Sequence, residues 1–240
     1  MPINAVDGEG SRGTDIFRYE LRPRGLQASL IIMVRCVPVK GYFAENCFFY
    51  IDDATSHGFV IDPGAEANRL LSLIKREQWS IEAILLTHGH FDHTGAVDEL
   101  RKVLDIPVLA HANADRYLLD GEMNLSAFCI GEKIVKNVRY LNDGDTVCLR
   151  NGSSATFQVI HTPGHTTDSV VYYCQKDSIA FVGDTIFKGS IGNYQYPGGN
   201  RQDIIESITT KILTLPENTV LYSGHSEETT VGTERRRYFY

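Results

Sequence analysis

The chain has 240 residues with a net charge of −7, and 42% of its residues are hydrophobic and 22% charged. This is the composition of an ordinary globular protein with a full core. The acidic balance argues against a nucleic-acid groove or a polybasic membrane surface, and no apolar run approaches the roughly 18 residues of a membrane-spanning helix.

The N-terminal segment, residues 1–14, is polar and glycine-rich, and we interpret it as a flexible leader before a single domain at 15–240. It lacks the charged, then apolar, then small-residue pattern of a secretion signal. The five cysteines are widely spaced and include no CxxC pair. We therefore expect reduced thiols in a cytoplasmic protein.

Strand-like runs dominate the first half of the chain after the leader. In chain order, we predict strands at 29–37, 46–52 and 58–61, a helix at 66–78, a strand at 81–87, a helix at 94–103, a strand at 107–110 and a short helix at 113–119. Residues 53–57 would form the hairpin turn between the second and third strands, and Asp62-Pro63-Gly64 ends the third.

The second half of the chain resembles the first in its pattern of strand-like runs followed by a helix. We predict strands at 146–149, 156–160, 169–174 and 179–182, a helix at 201–213 and a last strand at 219–222. The stretch at 121–137 fits no period and is either a mobile lid or a long connection. Together the two halves predict an α/β protein in which two sheets pack together between helical layers.

The strongest functional signal is a run of six residues, His88-Gly89-His90-Phe91-Asp92-His93, between a predicted strand and a predicted helix. Imidazole and carboxylate groups together suit zinc or a similar divalent metal. Nothing in a solvated surface favours such a concentration of these residues, and burying polar groups without partners in a core costs free energy. The run therefore predicts a metal site at the end of the strand.

Three further segments share one pattern, in which a strand ends, the chain turns at glycine and a ligand-type residue follows. They are HTPGHT at 161–166, GDT at 183–185 and SGH at 223–225, and their ligand-type residues include His165, Asp184 and His225. Glycine beside each one lets the backbone approach a compact site closely. Each segment alone is a weak signal, but together with the six-residue run they indicate one composite site.

With these motifs the sequence resembles the metallo-β-lactamase superfamily, and within it the short bacterial hydrolases that are similar to glyoxalase II, the hydroxyacylglutathione hydrolase. The resemblance covers roughly residues 29–234 and depends on the segments 87–97, 161–166, 181–187 and 222–234. It implies the fold of that family, an αββα sandwich of two mixed β-sheets between helical layers, with a dinuclear metal centre at one edge.

The resemblance also implies a ligand set, carried over position by position. His88, His90 and His165 would hold the first metal, Asp92, His93 and His225 would hold the second, and Asp184 would bridge the two. All seven positions are filled, which favours a dinuclear centre. We expect two divalent ions, with zinc as the default and iron or manganese as alternatives.

The expected reaction is thioester hydrolysis, in which a hydroxide that bridges the two metals attacks the carbonyl and the metals stabilise the oxyanion. We name Asp92 and Asp184 as catalytic, and Asp92 is the one candidate acid if the leaving group needs a proton. The alternatives are an iron-dependent persulfide dioxygenase, a lactonase or β-lactamase activity, and a catalytically silent metal-binding module.

The loop at 186–200 borders the substrate in relatives of this family, which commonly carry a glycine-arginine pair where Gly192-Asn193 stands here. The candidates for substrate contact in this chain are Lys188, Tyr194, Tyr196 and Arg201. A solvated loop with a packed tyrosine is equally consistent with the sequence. We expect a small-molecule thioester or ester as the partner, neither nucleic acid nor membrane, and a homodimer stays open.

Four other residues and the tail have competing interpretations. Asp62 either orients a ligand histidine or caps a turn. His161 either packs at a strand end or binds metal, and His111 either supports the site from its rim or has no role there. We expect His57 to be exposed in its hairpin turn. The tail at 234–240 is a solvated charge run, a dimer contact or a substrate edge.

Overall fold

The structure is a computed structural model that describes residues 16–18, 32–151 and 155–239, with the backbone alone at 16–18 and at Phe239. The predicted leader at 1–14 lies outside the described residues, as does the start of the first predicted strand at 29–31. Within the described ranges, no helix is long and apolar enough to cross a membrane.

The first sheet has seven strands that follow one another in chain order. They are β1 (Ile16–Arg18), β2 (Ile32–Lys40), β3 (Ala44–Asp52), β4 (His57–Ile61), β5 (Ser80–Leu85), β6 (Val108–His111) and β7 (Arg139–Leu141). Neighbouring strands are antiparallel from β1 to β4 and parallel from β4 to β7. The parallel strands end at one edge of the sheet, so the residues that follow them lie close together.

The second sheet has six strands in the order β15-β14-β11-β10-β9-β8. The strands of this half are β8 (Thr146–Cys148), β9 (Thr156–His161), β10 (Val170–Cys174), β11 (Ile179–Gly183), the separate hairpin of β12 (Ile186–Phe187) and β13 (Ser190–Ile191), β14 (Val220–Ser223) and β15 (Thr229–Thr230). β11 and β14 are parallel, whereas the other pairs in this sheet are antiparallel.

The helices are short, and most of them join the strands near the edge where the site lies. They are α1 (Ala67–Glu77), α2 (Phe91–Thr94), α3 (Val97–Leu104), α4 (Asp115–Leu118), α5 (Ser126–Cys129), α6 (Arg201–Ser207), which continues as one π-helical segment at Ile208–Ile212, and α7 (Val231–Phe239).

Three apolar clusters hold the layers together. Aromatic side chains fill the space between the two sheets, where the rings of Tyr50 and Phe157 lie 4.7 Å apart. One outer cluster packs Leu70 of α1 and Leu100 of α3 on the first sheet, and the other packs Ile204 of α6 on the second. The predicted αββα sandwich is therefore confirmed, with its core in three parallel apolar layers.

The structure divides the helix that we predicted at 94–103. α2 ends before Gly95 and α3 begins at Val97. A Cβ atom at residue 95 would lie 2.1 Å from the carbonyl oxygen of Gly64, and the Ala96 amide donates to the Pro63 carbonyl at 2.9 Å. The loop after β4 therefore packs into the break, a tertiary contact that helical periodicity does not show.

Of the three interpretations of the tail, the solvated charge run holds only for Arg236 and Arg237, which are exposed. α7 buries Glu234 completely, and its carboxylate accepts hydrogen bonds from Thr229 Oγ1 at 2.6 Å and the Gly189 amide at 3.1 Å. Arg235 donates to the carbonyl oxygens of Leu213 and Leu215. Charged residues here bind buried polar groups of the domain, which a count of charges cannot reveal.

Candidate metal centre

The first group of predicted ligands, His88, His90 and His165, meets in a buried cluster. His88 Nε2 lies 3.2 Å from His90 Nδ1, and His165 Nε2 lies 2.9 Å from the same His90 atom. His88 and His90 follow β5, and His165 follows β9 of the other sheet. Strand ends from two sheets thus bring three imidazoles to one point.

The second group, Asp92, His93 and His225, meets beside the first. His225 Nε2 lies 3.3 Å from His93 Nε2 and 3.2 Å from Asp92 Oδ2. Asp184 stands between the groups, because its carboxylate oxygens lie 3.4 Å from His225 Nε2, 3.5 Å from His93 Nε2 and 3.7 Å from His165 Nε2. The structure therefore brings all seven predicted ligands together, with Asp184 in the position expected of a bridge.

Hydrogen bonds on the far side of four rings decide which nitrogen faces the centre. His165 Nδ1 donates to the Asn193 carbonyl at 2.7 Å, and His225 Nδ1 donates to the Ala44 carbonyl at 2.8 Å. A carbonyl can only accept, so in the neutral ring Nε2 of each histidine carries a lone pair. His93 Nδ1 lies 3.1 Å from Asp62 Oδ2, which fixes the same tautomer.

Asp62 organises this part of the site. Its carboxylate accepts hydrogen bonds from the Thr87 amide at 2.7 Å and from Thr87 Oγ1 at 2.6 Å, in addition to His93. Because Thr87 Oγ1 gives its only proton to Asp62, it can only accept at 3.1 Å from Nδ1 of His88. Asp62 therefore orients ligand histidines, the first of its two interpretations, and His88 also presents its Nε2 lone pair.

A glycine lies where the backbone passes closest to this centre. A Cβ atom at Gly224 would lie 2.5 Å from His93 Cε1 and 2.6 Å from Asp184 Oδ1. These distances are far inside van der Waals contact, so a residue with a side chain would displace a ligand of the second group and the predicted bridge. This agrees with the expectation that glycine lets the chain approach a compact site.

The two groups hold protons differently. Burial lowers the pKa of His88, His90 and His165, so these rings stay neutral. Burial also acts to lower the pKa of His93, but the carboxylates of Asp184 and Asp92 outweigh it and raise the pKa. The pKa of Asp184 is low because, against the effect of burial, His93, His225 and His165 favour its charged form.

Divalent metal ions fit this donor set. In their neutral forms, four imidazoles with fixed tautomers turn lone pairs towards one another and towards two carboxylates, within distances that suit shared coordination. Lone pairs that face each other repel unless a cation lies between them, and nitrogen with carboxylate oxygen is a zinc-type donor set. That the seven residues hold two ions stays a prediction.

A cavity of about 310 Å³ opens onto the two groups. Of the four predicted substrate contacts, only Tyr196 lines it. Lys188 instead forms an ion pair of 2.5 Å with Glu227, Tyr194 packs against the apolar cluster under α6, and the exposed Arg201 is the first residue of α6. The sequence of this loop did not show which of its side chains line the cavity.

The remaining histidines lie apart from the predicted ligands. The rings of His111 and His161 stack on each other with centroids 4.1 Å apart, and His161 Nε2 donates to the Thr167 carbonyl at 2.9 Å. His161 thus has the packing role. The exposure expected for His57 is wrong, because it is half-buried and its Nδ1 lies 2.7 Å from Glu82 Oε1.

Sequence reasoning missed Glu45 and three cavity residues. Glu45 is buried on β3 with Oε1 3.8 Å from His93 Nδ1, and burial raises its pKa well above the usual range. A carboxylate at the start of a largely apolar strand is a signal that could have drawn attention to it. Phe43, Leu125 and Phe187 line the cavity, and no feature of the sequence marked them.

Residues 41–225 match the family described as the metallo-beta-lactamase superfamily, over a stretch that includes all seven predicted ligands. The chain belongs to the metallo-β-lactamase superfamily. It is accordingly a metal-binding metallo-hydrolase, and the resemblance stated from the motifs is confirmed.

Relatives of known name span nearly the same length. The chain is 40% identical over 202 residues to the probable metallo-hydrolase YqgX of Bacillus subtilis, covering 84% of this chain and 93% of that one. It is 31% identical over 212 residues to the hydroxyacylglutathione hydrolase GloC of Haemophilus influenzae, covering 85% and 95%.

Solved structures of the superfamily superpose closely. BLEG-1 B3 metallo-β-lactamase has a TM-score of 0.79 and 38% identity, over 85% of this chain and 97% of that chain. TTHA1623 in a di-iron-bound form has a TM-score of 0.73 and 35% identity, over 83% and 97%.

Proposed function

We propose that this metallo-hydrolase hydrolyses thioesters with two divalent ions, zinc by default, and that it works in the cytoplasm. The observation that carries the proposal is the convergence of five imidazoles and two carboxylates at the floor of one cavity. The similarity to GloC, named a hydroxyacylglutathione hydrolase, supports the substrate class.

The residues of the chain have distinct tasks in this proposal. The first group would hold one ion, the second group the other, and Asp184 would contact both. When bound, such ions ionise a water near neutral pH and stabilise developing negative charge on a carbonyl oxygen. Asp62 and the carbonyls of Ala44 and Asn193 hold the imidazoles in the ligating tautomer, so the site needs no rearrangement during turnover.

The leaving group distinguishes a thioester from an amide at this site. The oxygen of water adds to the carbonyl carbon, the carbon–sulfur bond breaks, and the products are a carboxylate, a thiol and a proton. A thiolate leaves without being protonated, whereas an amine does not. Among the described residues that line the cavity, the only carboxyl groups are Asp92 and Asp184, both predicted ligands. The cavity therefore offers no uncommitted acid for an amine.

A β-lactamase activity is the second candidate, because the structure superposes on BLEG-1, named a B3 metallo-β-lactamase, with a TM-score of 0.79. In that reaction Asp92, although a predicted ligand, would have to protonate the ring nitrogen as it leaves. The di-iron form of TTHA1623 likewise keeps iron open as the metal. A persulfide dioxygenase and a silent metal-binding module stay as the alternatives that the sequence left open.

One experiment separates these candidates. Metal content is measured by elemental analysis on the same purified sample that is assayed with thioesters, lactones, β-lactams and glutathione persulfide. We expect two ions per chain and the highest kcat/KM on a thioester. Faster opening of β-lactams would replace the proposal, and one iron per chain with oxygen uptake on persulfide would overturn it. A sample that is fully loaded but inactive on every substrate would indicate a silent module.

A further inference from the structure

Apolar side chains share the cavity with the predicted ligands. Phe43, Leu125, Phe187 and Tyr196 all line it. Phe43 is 39% exposed and Tyr196 is 37% exposed, although most large apolar side chains of the described domain are buried. Aromatic surface that stays open to water beside a reaction centre is expected where a ligand covers it.

The aromatic rings are held in place by the centre itself. The Tyr196 ring packs edge-on against His90 and His165, with centroid distances of 5.8 and 6.1 Å. The Phe187 ring packs in the same way against His225 at 6.2 Å. Each group of predicted ligands therefore has an aromatic wall beside it, at the separation that favours ring contacts.

Leu125 reaches the cavity from a strained backbone conformation. Its φ is +72°, in the left-handed region that glycine adopts freely and other residues adopt at a cost. This backbone conformation does not favour leucine, but Leu125 is one of the residues that line the cavity. Strain that persists beside a site points to a use for the side chain.

The long basic side chains are missing from the same surface. Neither lysine nor arginine is among the described residues that line the cavity. The adjoining cavity, which shares Ala44 and His225 with it, has three basic residues and four glutamates. Two of the three cations are already paired, Arg69 with Glu66 at 2.7 Å and Lys188 with Glu227 at 2.5 Å.

We infer that the cavity selects thioesters whose acyl group is neutral and apolar, and that Phe187 and Leu125 determine this specificity. The inference rests on the proposed thioester hydrolysis and names its substrate class. An apolar acyl chain would cover the open aromatic surface. An acyl group that ends in a carboxylate would lose water against this wall and find no lysine or arginine there to replace it.

The test uses acyl thioesters of one neutral thiol, N-acetylcysteamine, with the metal-loaded full chain. From acetyl to hexanoyl, kcat/KM should rise by up to about fourfold for each methylene until the cavity is full. Pentanoyl should exceed succinyl, which has nearly the same length, by at least about tenfold. Values of kcat/KM that do not change from acetyl to hexanoyl, or equal values for pentanoyl and succinyl, would overturn the inference.

Variants then assign the selectivity to the walls. In both Phe187→Ala and Leu125→Gly, kcat/KM should rise less, or not at all, from acetyl to hexanoyl. The melting temperature of Leu125→Gly should stay the same or rise, because glycine relieves the positive φ. Phe128→Ala is the matched control, since Phe128 is 69% exposed and lies outside the cavity lining. An unchanged acyl series in both wall variants would overturn their assignment.

Binding measurements separate this inference from the proposed function. Non-hydrolysable thioether analogues with pentyl and carboxypropyl groups are compared by calorimetry. If no thioester is turned over while the pentyl analogue still binds more tightly, the proposed function fails and apolar selection stands. If thioesters are turned over but the two analogues bind equally, the inference fails and the proposed function stands.

Discussion

Replacement of Asp62 by asparagine tests the tautomer argument with almost no change of shape. Asparagine tolerates the left-handed conformation of residue 62, whose φ is +49°. Its single amide oxygen can keep the 2.7 Å hydrogen bond from the Thr87 amide. The amide nitrogen then faces His93 Nδ1, so that two donors meet. His93 must move or carry its proton on Nε2, the atom that faces the centre.

The magnitude follows from the contact that is lost. A hydrogen bond to a charged group contributes about 1.5–3 kcal/mol, which corresponds to about a 10–150-fold loss of affinity. Measured losses for groups that orient a metal ligand are about 10–100-fold. We therefore expect the ion of the second group to bind about 10–100-fold more weakly in Asp62→Asn. The first group should change less, because its contact with Asp62 passes through Thr87.

The assay is competition with a chromophoric chelator, which gives the affinity of each ion, with elemental analysis for stoichiometry. Asp52→Asn is the matched control: Asp52 is equally buried, accepts from the Ala54 amide at 2.9 Å, and lies outside the predicted ligand set. It should bind both ions as the unmodified protein does. If Asp62→Asn also retains both affinities, the reasoning from tautomers is refuted.

Four further outcomes follow from the same geometry. Asp184→Ala should abolish turnover and lower bound metal, whereas His57→Ala should leave both unchanged. Initial rates and elemental analysis measure the two quantities. Wild-type rates in Asp184→Ala would show that the assigned centre is wrong. As the pH falls from about 8 to about 6, bound metal should drop from two ions to one. The histidines of the second group have raised pKa values and keep protons that an ion must displace, whereas those of the first group are already neutral. Simultaneous loss of both ions would contradict this prediction. Gly224→Ala should reduce metal content in dialysed protein, since the new Cβ collides with His93 and with Asp184, the predicted bridge. Glu234→Gln should lower the free energy of unfolding by about 1–2 kcal/mol in denaturant titration, because the hydrogen bonds with Thr229 Oγ1 and the Gly189 amide lose their charged acceptor; an unchanged midpoint would mean that these contacts are weak.

The sequence was sufficient for the fold class and for the predicted ligand set. Alternating apolar runs indicated the strands of both sheets, because burial on one or two faces leaves a periodic record in the chain. Glycine beside His165, Asp184 and His225 identified strand ends where the backbone must pass close to a site. These features are local, since each depends on residues that are near neighbours in the sequence.

The sequence left open what depends on distant contacts. The break at Gly95 exists because the loop after β4 packs against it, and His57 is half-buried because Glu82 reaches it from another strand. The positions of the four candidate substrate residues depend on such contacts too, since Lys188 pairs with Glu227 whereas Tyr196 lines the cavity.

Local sequence thus determined which residues can bind a metal and in what order the strands and helices follow. The tertiary structure alone decided which nitrogen of each histidine faces the centre, which carboxylate orients His93, and which apolar side chains form the cavity wall. The physical reason is that hydrogen bonds and packing between segments far apart in the chain fix tautomers and side-chain directions. Only folding brings Ala44 and Asn193, the carbonyl partners of His225 and His165, to their places.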